Sequence, residues 1–171
     1  MRRRDREITN FKDVFEILKL NDIVRLGLID NDGLAYILPL NFGYENNDGQ
    51  LRLYCHSSNE GKKIELIKKQ DLVSFEMDRK HSLITGKVAC DYSFAYQSIM
   101  GKGRLSFVED EIEKLHALKL LMAHYAPLSS NANDKNKNNQ DEWEFKEASL
   151  ARVVLIRLDI TTWSCKEHLS I

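Results

Sequence analysis

The chain has no excess of charge of either sign: 25 lysines and arginines face 26 aspartates and glutamates. That balance argues against the broad basic footprint of a nucleic-acid binder. The Arg2-Arg3-Arg4 cluster is cut short at once by Asp5 and Glu7. Cysteine is scarce too. Cys55, Cys90 and Cys165 are odd in number, far apart and without C-x-x-C spacing, so neither disulfides nor a structural zinc site are expected. No apolar run is long enough to span a membrane and no signal peptide is legible, so a reducing cytoplasm is the expected location. The G-x-S-x-G elbow and the Rossmann glycine fingerprint are both missing. There is no internal repeat, and 171 residues suffice for one domain over 1–171 with a sizeable core.

What is present reads as strands joined by turns. Phe11, Val14, Phe15 and Leu18 recur at helical spacing after Thr9 and Asn10, either of which could cap, so a first helix is expected to end near Asn21. Strands are expected at 22–29, 34–44 and 51–56, linked by the turn sequences Asp30-Asn31-Asp32-Gly33 and Asn46-Asn47-Asp48-Gly49. Three strands joined so tightly predict an antiparallel meander. Further strands are expected at 72–77, at 96–108 with a bulge at Gly101 and Gly103, and at 150–160. Residues 79–94 read as irregular. Ile112, Leu115, Leu118, Met122 and Tyr125 mark another helix, and 127–141 reads as a polar mobile loop. Six antiparallel strands with peripheral helices predict a small, mainly β barrel.

The stretch from Leu51 to Ile64 organises the rest. Leu51, Leu53 and Cys55 alternate with Arg52, Tyr54 and His56, and then the strand stops. Ser57-Ser58-Asn59-Glu60 matches the capping box, which predicts Ser57 as the N-cap of a second helix. Lys62 and Lys63 lie in its first turn, where the helix dipole disfavours cations that have no anionic partner. Free amides, hydroxyls, the His56 imidazole and ammonium groups would converge there, which is what a phosphate needs. On its own the stretch fits a capped surface helix with solvated lysines equally well.

Other candidates carry less. Pro39 breaks a ladder, and beside it Asn41, Phe42 and Tyr44 suit the rim and faces of a planar heterocycle. By itself that segment reads as an ordinary edge strand. His116 and His124 are not at i, i+4 spacing, and His81 and His168 lack ligand partners, so no metal centre is expected.

Together the segments 39–44 (PLNFGY), 54–63 (YCHSSNEGKK) and 98–104 (SIMGKGR) resemble, in order and spacing, the nitroimidazole-resistance (Nim) proteins. These are a branch of the pyridoxamine 5'-phosphate oxidase-like flavin-binding split barrels. The start of the chain, Cys90-Asp91-Tyr92, residues 150–153, Trp163 and Lys166 resemble the same family. The resemblance implies a six-stranded antiparallel split β-barrel that forms a homodimer with flavin at the subunit interface. It implies that Pro39, Leu40, Asn41 and Phe42 line the isoalloxazine, and that His56, Ser57, Ser58, Gly61, Lys62 and Lys63 surround the phosphate. Ser98, Ile99, Met100 and Gly101, together with Trp163, would approach the cofactor. His56 matches the histidine placed near substrate. The cofactor would be FMN or FAD, with haem as the rival, and no nucleic acid or membrane partner is implied. The expected activity is flavin-dependent reduction of a nitroimidazole or similar electron-poor small molecule. The alternative is a non-catalytic flavin- or haem-binding protein. The tail 165–171 lacks the Arg-x-x-Pro type ending of true pyridoxamine phosphate oxidases, so vitamin B6 oxidation is not expected.

Overall fold

The computed structural model describes residues 3–126, 143, 145–146, 150 and 152–169. The expected loop at 127–141 lies outside the described residues. Among the described residues eight strands form one antiparallel sheet: β1 (Glu7–Ile8), β2 (Val24–Ile29), β3 (Ala35–Leu40), β4 (Gly43–Asn47), β5 (Gln50–Ser57), β6 (Leu72–Ile84), β7 (Ser93–Phe107) and β8 (Val154–His168). The helices are α1 (Phe11–Lys19), α2 (Lys62–Lys69) and α3 (Glu111–Tyr125). The order across the sheet is β3-β2-β6-β7-β8-β5-β4, and β1 pairs with β8 off that path.

The count rises from six to eight because of β1 and because the expected strand 34–44 is broken at Asn41 and Phe42. That break also overturns the meander. β3 pairs with β2 and β4 pairs with β5, at opposite ends of the sheet. Leu40 and Gly43 are three residues apart, so their Cα atoms can be separated by about 11 Å at most. The two edges of the sheet must therefore meet there. The sheet curls into a barrel that stays open along the seam between β3 and β4.

Both hairpin turns form as their residues require. Gly33 has φ +82°, and Asp48 and Gly49 have φ +49° and +90°, the positive values a tight turn needs. Asn10 caps α1, its side chain accepting from the Lys12 amide at 3.0 Å, and Asp110 caps α3. Residues 79–94 are more regular than expected. β6 and β7 stay paired out to Ile84 and Ser93, with a register shift between Arg79 and Ser82 that hides the alternation. A second shift falls between Lys102 and Gly103, where glycines had marked a bulge. β8 runs on to His168 because its polar second half pairs with the first half of β7.

The core fills the barrel with Leu26, Leu28, Leu53, Phe75, Met77, Ile99 and Leu158, closed by Val14, Ile17 and Leu18 of α1. A second cluster joins Tyr54 and Leu155 to Ala117 and Leu121 of α3. α3 docks by a face other than the one its spacing suggested, since Ile112 is 80% exposed. Gly43 decides this. A Cβ there would stand 2.5 Å from the Leu121 amide nitrogen, so the helix backbone lies directly against β4.

Beside that contact, Glu45 accepts from the Tyr54 hydroxyl at 3.0 Å and from Arg52 at 3.3 Å, with His116 Nε2 at 2.7 Å. Burial would raise the Glu45 carboxyl, but hydrogen bonds from His116, Tyr54 and Arg52 hold it below the ordinary value. Its contribution to stability is therefore fully present above the unfolded glutamate pKa of about 4.3. That contribution is lost as pH falls through the lower folded value. Thermal unfolding followed from about pH 6 to about pH 3 should show a shallower acid loss in Glu45→Gln than in the parent. Parallel curves would remove Glu45 from the account of how α3 is held.

Candidate flavin site

The junction after β5 is built differently from the capping box. Ser57 remains in the strand opposite Val154, and its hydroxyl donates to the Ser58 carbonyl at 2.8 Å. The N-cap is Gly61, at φ +111° and ψ +169°, with no side chain closing the helix start. Only glycine adopts that backbone without strain. A turn at Gly61 uses up Ser58 to Glu60 as loop, and the Ser58 hydroxyl donates to the Glu60 carbonyl. The first-turn amides of α2 are thus left without a side-chain cap, beside two lysines.

Lys62 extends over the β2–β3 hairpin. Its ammonium pairs with the Asp30 carboxylate and lies 5.1 Å from the centre of the Tyr36 ring. That ion pair holds the Asp30 carboxyl below its usual value and raises the lysine. Lys63 is half-buried and Ser58 exposed. Pro39 lies three residues along β3 from Tyr36, roughly 10 Å at the rise of a strand. Tyr36 shares its face of β3 with buried Leu38, whereas Pro39 shares the opposite, outward face with exposed Ile37.

Pro39 begins a row on that outward face of the sheet. Pro39 stands opposite Arg25, Arg25 opposite Glu76, Glu76 opposite Met100 and Met100 opposite Ser164. One row of side chains therefore crosses five strands. Around it the apolar side chains of Ile29, Ile37 and Met100 are exposed. Ser98 lies on the same face as Met100, two residues away.

Other expected site residues point elsewhere. Phe42 is wholly buried, with its ring 4.7 Å from that of His124. Its amide donates to the Tyr125 hydroxyl at 2.9 Å, so neither its ring nor its amide is free for a ligand. Ile99 is fully buried, and Leu40 packs half-buried against the core. Gly101 faces inward, where a Cβ would strike the Phe75 ring. Trp163 pairs with Gly101 and meets Phe11 edge to face at 6.4 Å, on the barrel side of the sheet and away from Met100. Asn41 is exposed and donates to the Asp22 carbonyl at 3.3 Å.

His56 projects from β5 on the side opposite buried Cys55 and is exposed. The thiol of Cys55 is pushed up to about 12 by burial, which rules out a thiolate–imidazole pair. Arg25, Asp30, Tyr36 and Glu76 were missed from the sequence. Each is an ordinary strand or turn residue, and only the register across strands brings them to the site. A cavity of about 300 Å³ lies on the far side of α2, between Ile64, Lys68, Phe107 and Lys114, and none of the expected site residues lines it. Among the described residues no cluster could hold a metal ion, and no helix is long and apolar enough to cross a membrane.

A sheet curled until its edges meet, left open between β3 and β4, is the split β-barrel. The chain belongs to the pyridoxamine 5'-phosphate oxidase family, whose model matches residues 12–166. A candidate 5-nitroimidazole antibiotic resistance protein from Bacteroides thetaiotaomicron superposes with a TM-score of 0.75 at 28% identity, over 94% of this chain and 86% of that one. A flavocytochrome from Azotobacter vinelandii gives 0.77 at 19% identity, over 99% and 72%. An FAD and heme binding protein from Mycobacterium smegmatis gives 0.76 at 16%, over 96% and 74%. The last two likenesses speak to the fold. No curated protein matches the chain.

Proposed function

We propose that this chain is a flavin-dependent oxidoreductase that holds FMN or FAD between the subunits of a homodimer. Its substrate would be a nitroimidazole or another electron-poor small molecule. The observation that carries the reading is the uncapped start of α2, with Lys62 reaching the β2–β3 hairpin and the outward face of β3, bearing Ile37 and Pro39, beginning at that hairpin. Open amides and an ammonium suit a phosphate, and the exposed apolar face beside Pro39 suits a flat ring covered by a second copy. The likeness to the candidate resistance protein supports the choice of substrate class.

When bound, the flavin would supply the electrons. The chain's own residues orient it and exclude water: Lys62, Lys63, Gly61 and Ser58 at the phosphate, Pro39, Asn41, Ser98 and Met100 at the ring. His56 is exposed but stands opposite Leu155, nine residues along β8 from Ser164 of the outward row, so the substrate contact that the family resemblance implies would have to come from the second copy.

The purified protein should be yellow, and mass analysis of the released cofactor should identify FMN or FAD. Reduced anaerobically, it should be reoxidised by a 5-nitroimidazole. A colourless protein that takes up no added flavin would overturn the reading. Flavin that stays reduced in the presence of the nitro compound would leave a binding protein rather than an enzyme. A Soret band in place of the flavin spectrum would favour haem, the second ligand of the FAD and heme binding protein from Mycobacterium smegmatis.

A further inference from the structure

The outward row contains a charge cluster that the reading so far leaves unused. Arg25 Nη1 lies 2.6 Å from Asp78 Oδ1 and 3.2 Å from Glu76 Oε2. His81 Nε2 stands 2.6 Å from the other oxygen of Asp78. Glu76 and Asp78 are two apart on β6, so they share a face, and they share a single guanidinium nitrogen. Asp78 takes the short bond and Glu76 the long one.

Arg25 is shared between two neighbouring carboxylates and Glu76 has the longer contact, so Glu76 is the less well compensated of the two. Burial first, then the charge of Asp78, pushes the Glu76 carboxyl up against the pull of Arg25. Lys102 of β7 stands opposite Ser74, one diagonal from Glu76, and Lys166 of β8 stands opposite Ser98 in the row of Asp78. β3 presents the uncharged Ile37 and Pro39 on this side, and β7 presents Met100 directly opposite Glu76. Glu76 is two strand spacings from Pro39, roughly 10 Å, within the reach of a small aromatic lying across the row.

We propose that Glu76 is the acid that hands a proton to the substrate reduced on this face, while Arg25 holds the carboxylate left behind. The proposal rests on the flavin reading above. With a nitro substrate, Glu76 would give one proton and the hydride would come from a bound reduced flavin. One N–O bond breaks and its oxygen leaves as water, so R–NO2 + H− + H+ gives R–NO + H2O. Solvent then returns a proton to Glu76. This assigns proton delivery to Glu76 rather than to His56.

The test uses the flavin-loaded, anaerobically reduced protein mixed with either a 5-nitroimidazole or ferricyanide, an acceptor that takes electrons without protons. Glu76→Gln should slow reoxidation by the nitroimidazole about 100-fold, the ordinary worth of a general acid. It should also abolish the alkaline fall in the rate–pH profile. Reoxidation by ferricyanide and the flavin absorbance should match the parent, and Glu76→Asp should recover part of the rate. In the flavin-free parent, carbon-13 NMR should show the Glu76 carboxyl titrating above the range of ordinary glutamates.

A Glu76→Gln variant with the parent's nitroimidazole rate and pH profile overturns the proposal. So does equal slowing with both acceptors, loss of flavin, or an alkaline limb that disappears in His56→Gln instead. A parent that binds no flavin overturns the broader reading, and its spectrum shows this before any variant is made.

Discussion

Lys62→Glu should bind flavin roughly 10- to 100-fold more weakly than the parent, the loss of one charge-assisted contact to a phosphate together with reversal of its sign. The barrel should remain folded. Lys62 is exposed, and a carboxylate near the first turn of α2 suits the helix dipole better than an ammonium does. The structure adds a competitor that sharpens the test, because the ammonium is engaged by Asp30. Asp30→Asn should release it and tighten flavin binding, the opposite sign from the first variant. Fluorescence quenching of added flavin measures both affinities, and thermal unfolding checks that the fold is kept. Flavin held as tightly in Lys62→Glu as in the parent would place the phosphate somewhere other than the start of α2.

Much of the architecture was legible because local chemistry decided it. The turns at 30–33 and 46–49 carry Asn, Asp and Gly where positive φ is needed, and they form there. The bulge near Gly103 was visible for a similar reason. Signals set by distant contacts misled. Ser57 and Glu60 have the spacing of a capping box, but pairing with Val154 keeps Ser57 in the strand and Gly61 takes the cap. α3 is apolar on more than one side, so its spacing could not say that Gly43 would select the face bearing Leu121.

The candidate site shows the same division. Lys62 and Pro39 were found because a lysine at a helix start and a proline within a strand are locally anomalous. Arg25 and Glu76 are anomalous only as a pair, 51 residues apart and joined through register. A one-dimensional pattern of period two shows which residues share a face. It does not show which strands become neighbours.

Phe42→Ala should be the most destabilising of these changes, because Phe42 holds the seam that lets the barrel curl. Its ring is wholly buried between His124 and Tyr44. Its amide donates to the Tyr125 hydroxyl, which in turn donates to the Asp22 carbonyl at 2.6 Å. Its carbonyl faces His124 Nδ1 at 2.6 Å, and the other ring nitrogen of that histidine faces the Lys19 carbonyl. The connection between the two sheet edges is therefore tied at once to α3, to the end of α1 and to the start of β2. Truncating a buried phenylalanine costs about 3–5 kcal/mol, against total stabilities of about 5–15 kcal/mol. For a chain of this length the melting temperature should fall by roughly 10 °C.

Phe42→Leu, which keeps most of the apolar volume, should cost distinctly less. The resemblance places Phe42 at the flavin ring, whereas the geometry places its side chain in the core, and the two readings differ in what survives. If the residue only packs, flavin affinity per folded molecule is unchanged in Phe42→Leu while its unfolding midpoint drops. A variant of normal stability that has lost its flavin would return Phe42 to the binding site and require the seam to open when the cofactor enters.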